Sequence, residues 1–111
     1  MEPVSRIADR MAALGAEPRL RIMRLLLSAH PQGLVAGEIG AELEIPPSTL
    51  SHHLEKLRHE DLVQVRREGT FLWYSANTSA LEELLSFLYA ECCTRNRVVD
   101  VHSITASGAR K

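Results

Sequence analysis

The apolar residues of this chain fall into helical stripes over most of its length and switch once to strand alternation. Val4, Ile7, Met11 and Leu14 recur at near-helical spacing, with Gly15 as the expected C-cap. A second helix is expected from Pro18, a favourable first-turn residue, through Leu20, Ile22, Met23, Leu25, Leu26 and Leu27 to Ala29. It is apolar on more than one side, as a central helix would be, which leaves Arg19, Arg21 and Arg24 to solvent. His30-Pro31-Gln32-Gly33 reads as a turn. A short third helix then fits Val35 to Leu43, with Ile39 and Leu43 facing inward.

The stretch Ile45-Pro46-Pro47-Ser48-Thr49-Leu50-Ser51-His52-His53-Leu54-Glu55-Lys56-Leu57 is the centre of the pattern. Two prolines disfavour a helix running in from upstream and suit the first turn of a new one. Ser48 and Thr49 can cap its free amides. Leu50, Leu54 and Leu57 recur at i, i+4 and i+7 as one buried stripe. At roughly 100° per residue the opposite face carries Ser48, Thr49, His52, Glu55 and Lys56, flanked by Ser51 and His53. Short hydroxyls and imidazoles near a helix N-terminus suit base edges in a DNA major groove, and the helix dipole favours nearby phosphate. An ordinary capped surface helix carries the same letters. The brief Ile45-Pro46-Pro47 connection nevertheless makes the pair a helix-turn-helix.

The organising helix runs on to about Asp61. Val63 and Val65 then alternate with Gln64 and Arg66, and Phe71-Leu72-Trp73-Tyr74 resumes after a charged turn. This predicts a β-hairpin with Arg66 to Thr70 as its tip. A helix-turn-helix followed by a hairpin is a winged helix. The expected fold is therefore mainly α with a small β-hairpin, in the order α-α-α-α-β-β-α. Arg66 and Arg67 are positioned to lie along phosphates, or simply to solvate the tip.

Asn77 or Thr78 can cap the last helix, where Leu81, Leu84, Leu85 and Leu88 form a seam reaching Cys92, with Phe87 and Tyr89 alongside. A small winged domain does not need so apolar a helix for its own core. Together with the first helix it is the expected homodimer seam. Four leucines per chain at ~2 kcal/mol each outweigh association costs. Residues 1–95 are read as the dimeric winged domain and 96–111, which has no clear period, as a partly flexible tail.

The totals narrow the function. The 111 residues, 45% apolar and 24% charged, fit one globular domain. A net charge of −1 rules out bulk positive charge as the source of any nucleic-acid affinity. Met1 to Leu14 lacks the basic start and apolar centre of a signal peptide, and no apolar run has transmembrane length. A cytoplasmic protein without a membrane partner is expected. No carboxylate pair, nucleophile–base set or phosphate loop points to an enzyme.

Pro47-Ser48-Thr49-Leu50-Ser51-His52-His53-Leu54, then Leu57-Arg58, Leu62-Val63, Arg66-Arg67-Glu68-Gly69 and Tyr74-Ser75, resemble the ArsR/SmtB family of bacterial metal- and metalloid-responsive repressors. The resemblance covers Ile7 to Cys93. It implies a homodimeric winged helix that represses an operon until an inducer releases it from double-stranded DNA. It places Ser48, Thr49, Ser51, His52 and His53 where recognition-helix contacts lie, and Arg67 in the wing. The family often has another Arg after the Arg-Glu-Gly turn, and this chain has Thr70. From Ile45 to Thr70, Lys56, Arg58, Arg66 and Arg67 are balanced by Glu55, Glu60, Asp61 and Glu68. A shallower salt dependence than that of a strongly basic DNA reader follows.

Cys92 and Cys93 are the candidates for inducer chemistry. Adjacent thiols on a regular helix diverge, whereas at a helix end the backbone can unwind and turn both sulfurs to one soft ion. Thiolates select soft acceptors. Trivalent arsenic or antimony is three-coordinate and thiophilic, and the Glu-Cys-Cys ending is similar to that of arsenical-responsive members. Those members often add a third cysteine. Here an external ligand, a methyl group already on arsenic, or a thiol from the other protomer has to complete the set. In the competing reading Cys92 simply continues the leucine seam. Zinc, nickel and cobalt sensing are not expected, because Leu34-Val35-Ala36-Gly37 replaces a cysteine pair and the last helix lacks Asp/His sets. No cofactor is required. Arg95 and Arg97 would lower the thiol pKa, while the helix C-terminus would raise it. Two alternatives remain open: a thiol-redox-responsive repressor of the same fold, and a winged protein-interaction module without DNA binding.

Overall fold

The structure is a computed structural model describing residues 3–95. The elements among these residues are α1 (Val4–Leu14), α2 (Glu17–Ser28), β1 (Leu34–Val35), α3 (Ala36–Leu43), α4 (Pro47–His59), β2 (Val63–Glu68), β3 (Phe71–Ala76) and α5 (Thr78–Tyr89). This is the expected winged helix-turn-helix with one added strand, β1. The 96–111 tail, including Arg97, lies outside the described residues. The described residues up to Ala80 form one compact unit, and those from Leu81 form another.

The core of the first unit is built from the stripes seen in the sequence. Ile7 and Ala13 of α1, Ile22, Met23 and Leu26 of α2, Ile39 of α3, and Leu50, Leu54 and Leu57 of α4 are all buried, together with Leu62, Val63 and Ala76. Helix α2 is central, meeting α1, α3, α4 and β3. That is why its apolar residues are not confined to one face.

Gly15 is the C-cap of α1, as expected, in a right-handed conformation: its φ is −73°, and its N–H returns to the Ala12 carbonyl at 3.2 Å. Two boundaries differ from the sequence expectation. Helix α2 starts one residue early, so Pro18 follows Glu17 in the first turn. Val35 leaves the third helix for β1, where it pairs with Trp73 while Leu34 pairs with Tyr74. Gly33 makes this possible. It sits at φ +86°, and a Cβ there would lie 2.0 Å from the Tyr74 carbonyl oxygen. The sheet order is β1-β3-β2, antiparallel throughout.

The hairpin turn is tighter than expected. Strand β2 continues to Glu68 and β3 begins at Phe71, leaving Gly69 (φ +64°) and Thr70 as the turn. Arg66 and Arg67 are therefore strand residues, opposite Trp73 and Leu72.

Helix α4 ends at His59, with Glu60 as its C-cap, and Asp61 beyond it adopts φ +60°. Buried Arg10 donates from Nε to the Glu60 carbonyl at 3.1 Å, and Arg6 pairs with Asp61 at 2.5 Å. Asn77 performs the expected capping: its Oδ1 accepts from the Ala80 N–H at 3.4 Å, while its Nδ2 donates to the Asp61 carbonyl at 2.8 Å. In α5, Leu85 and Leu88 are 55% and 56% exposed, and Tyr89 is also exposed. No helix among the described residues is long and apolar enough to cross a membrane.

Candidate nucleic-acid interface and thiol pair

The first turn of α4 is open to an incoming ligand. Pro46 is the N-cap and Pro47 the first helical residue, and no side chain caps the turn. Ser48 and Thr49 therefore do not cap the helix as the sequence suggested. A proline has no N–H, so the amides left without helical acceptors here are those of Ser48 and Thr49, while Leu50 already donates to the Pro46 carbonyl at 2.9 Å. Both hydroxyls are exposed, as are Ser51, His52 and Lys56. Donor amides, a helix dipole and short hydroxyls converge on one surface, a combination that accepts phosphate and reads base edges.

The turn into this surface is kept short by small residues. Gly40 of α3 stands where a Cβ would come within 3.1 Å of the Ile45 carbonyl oxygen. Beside it runs a groove of about 350 Å³ between α3 and α4, floored by Leu50.

His53 is the member of the predicted set that turns inward. It is half-buried, and its Nδ1 lies 3.2 Å from Nη1 of Arg19 on α2. The Nε of Arg19 donates to the Ala13 carbonyl of α1 at 2.6 Å. Burial pushes the His53 pKa below its ordinary value, and the charges of Arg19 and His52 push it the same way. Arg19 is therefore not the free surface residue that its place in the sequence suggested. Nothing in the local pattern around Pro18 marks it, because its partners lie in other helices.

In the wing the two arginines part company. The guanidinium of Arg66 donates to Glu68 through Nε and to the Gln32 carbonyl through Nη1, both at 2.8 Å, and lies 5.1 Å from the centre of the Trp73 ring. A phosphate would have to compete with all three contacts. Arg67 is exposed and makes no ion pair among the described residues, so it is the wing cation presented to solvent.

In the second unit, Cys92 and Cys93 occupy the turn after α5 rather than the helix itself. Cys93 adopts φ +62°, which breaks the helical divergence of neighbouring side chains and brings the sulfurs within 3.1 Å. Neither cysteine forms a disulfide, and both are half-buried. The pKa of Cys92 is raised, chiefly by the hydrogen bond with the Cys93 thiol and then by burial and the Cys93 charge. Among the described residues no group of three His, Cys, Asp or Glu side chains is placed to hold a metal ion.

Comparison with known proteins gives a consistent picture. A family model described as "Helix-turn-helix domain" matches residues 14–66, which span α2 to mid-β2. The transcriptional activator HlyU of Vibrio cholerae is 31% identical over 78% of this chain and 78% of its own. A solved HlyU structure from the same species superimposes with a TM-score of 0.63 at 36% identity, covering 82% of this chain and 100% of that one. The arsenical resistance operon repressor of Staphylococcus aureus is 31% identical over 68% of this chain and 69% of its own. For the fold alone, the homodimeric winged helix-turn-helix DNA-binding domain Mb0332 of Mycobacterium bovis, a possible ArsR-family regulator, matches with a TM-score of 0.64 at 22% identity, over 87% and 88% of the two chains. On these grounds the chain belongs to the ArsR/SmtB family of winged helix-turn-helix transcriptional regulators.

Proposed function

We propose that this chain is a homodimeric DNA-binding repressor that leaves its operator when a trivalent arsenical (arsenite, antimonite or methylarsenite) binds Cys92 and Cys93. The observation that carries the DNA half is the uncapped first turn of α4, where exposed Ser48, Thr49, Ser51 and His52 surround unpaired amides. Lys56 and Arg67 add cations at its margins. With so few free positive charges, affinity leans on hydrogen bonds and on two linked half-sites. The exposed Leu85, Leu88 and Tyr89 of α5 and Val4 of α1 are apolar surface suited to a partner copy, and the likeness to a homodimeric domain supports that assembly.

For sensing, the support is the 3.1 Å separation of the two sulfurs, which lets one atom bridge them. With arsenous acid, two As–S bonds form, two hydroxyls leave arsenic, and each takes a thiol proton to depart as water. The third hydroxyl stays as the external ligand. Closing this ring reshapes the end of α5, and through the dimer seam it changes the separation of the two α4 helices. That separation has to match half-sites ~34 Å apart.

The test is a gel shift on the chain's own upstream promoter with the Cys92→Ser/Cys93→Ser variant. Operator binding is expected to persist and release by arsenite or methylarsenite to vanish; release that survives the double substitution overturns the assignment. A second reading, release by oxidation to a Cys92–Cys93 disulfide, has the same sulfur proximity in its favour. The raised Cys92 pKa opposes it, because the thiolate is the form that attacks peroxide. Parallel titration with peroxide and arsenite separates the two.

A further inference from the structure

Helix α4 is not packed evenly against the helices behind it. Its Leu50–Leu54–Leu57 stripe is buried, yet beside the stripe an open cleft of about 430 Å³ separates α4 from α1 and the start of α2. Two arginine bridges flank this cleft. At the C-terminal end of α4, Arg10 holds the Glu60 carbonyl. Midway along α4, Arg19 reaches from α2 to both the Ala13 carbonyl and the His53 ring.

We propose that Arg19 is a positioning residue for DNA recognition, a strut that fixes the angle of α4 by joining the end of α1 to the unprotonated Nδ1 of His53. This rests on the DNA-binding reading above. The chemistry sets its terms. A guanidinium only donates and stays charged at any physiological pH, so the Nδ1 facing it has to offer a lone pair. The His53 proton therefore sits on Nε2 and the ring is neutral. Protonating the ring leaves two donors face to face and turns the strut into a repulsion. The other titratable or charged groups around the cleft are Asp9 from α1, His52, Lys56 and His59 from α4 and Glu60 just beyond it, with Glu55 turned to Arg58. None of them substitutes for the Nδ1 lone pair at the observed 3.2 Å contact. His53 then shapes affinity without touching a base, unlike its neighbours Ser51 and His52.

Two measurements test this on the full chain. In the DNA-free protein, imidazole ¹⁵N spectra are expected to show His53 as the Nε2–H tautomer, and Arg19→Met to move its titration midpoint upward. On operator DNA at neutral pH, Arg19→Met is expected to weaken binding about tenfold, the scale of one hydrogen bond to a charged group. His53→Gln, which keeps an acceptor, stays close to wild type. As the pH is lowered through the His53 titration, wild-type affinity falls relative to the Gln variant. A His53 ring whose tautomer and titration ignore Arg19 overturns the strut. So does a Gln variant that loses the operator as completely as His52→Ala, which would make His53 a DNA contact. Failure of the wild-type chain to bind any operator overturns the DNA reading instead, and the spectra judge the strut independently. Arg19→Lys, expected to be intermediate, and circular dichroism of each variant separate a lost strut from a lost fold.

Discussion

Arg66 offers a sharp test, because sequence and structure assign it different work. The sequence offers it as a phosphate contact, whereas the structure commits it to Glu68, the Gln32 carbonyl and the Trp73 ring. Replacing it with Met keeps the stem and removes all three contacts. The Glu68 pair has 40% and 57% exposed side chains and adds little. The hydrogen bond to Gln32 contributes about 1.5 kcal/mol and the cation–π contact about 0.5 kcal/mol. Arg66→Met should therefore destabilise the folded chain by about 2 kcal/mol, seen as a midpoint about 8 °C lower in a thermal melt at fixed protein concentration. Trp73 is the only tryptophan, so its fluorescence reports the wing directly, and the variant's emission should shift before global unfolding. Operator affinity measured against salt should keep its slope, since no phosphate contact is lost. A slope shallower by about one unit with unchanged stability would refute this reasoning and return Arg66 to the DNA surface.

Two further outcomes follow from geometry already described. Gly33→Ala drives a Cβ into the Tyr74 carbonyl from a left-handed backbone, so β1 should detach from β3 at a cost of at least ~2 kcal/mol, measured by urea melts and by faster hydrogen exchange at Val35. For His53 the folded pKa is depressed, so the unfolded chain binds the proton more readily. Its contribution to stability should be complete above the ordinary value of 6.5 and decline as pH falls through it. Denaturation midpoints of wild type and His53→Gln should then lie together above that pH and separate below it, wild type becoming the less stable, and parallel curves would contradict the depressed value.

The parts legible in the sequence were those with a period. The i, i+4, i+7 leucines of α4, the switch to alternation at Val63 and the Pro46-Pro47 entry gave the fold and the exposed face of Ser48, Thr49, Ser51 and His52. What escaped depended on partners distant in the chain. A strand of two residues has no period to detect, and β1 exists because Gly33 lets the backbone approach Tyr74. The inward turn of His53 depends on Arg19, 34 residues away. The different fates of Arg66 and Arg67 come from strand register, which a shorter turn than expected resets. The thiol pair was legible as a pair, but the left-handed Cys93 that brings its sulfurs together was not.

Strand β2 is the outer rail of a three-stranded sheet, and its far side has no neighbour within the sheet. Gln64, Arg66, Arg67 and Glu68 along that rail make it a poor template for a stray extended segment, since a second identical strand would set like charges side by side. Arg67, proposed above as a wing cation for nucleic acid, is thus also one of the charges that discourage pairing at this edge. Charge-stripping variants made to dissect DNA contacts should be checked for fibre formation before any loss of binding is interpreted.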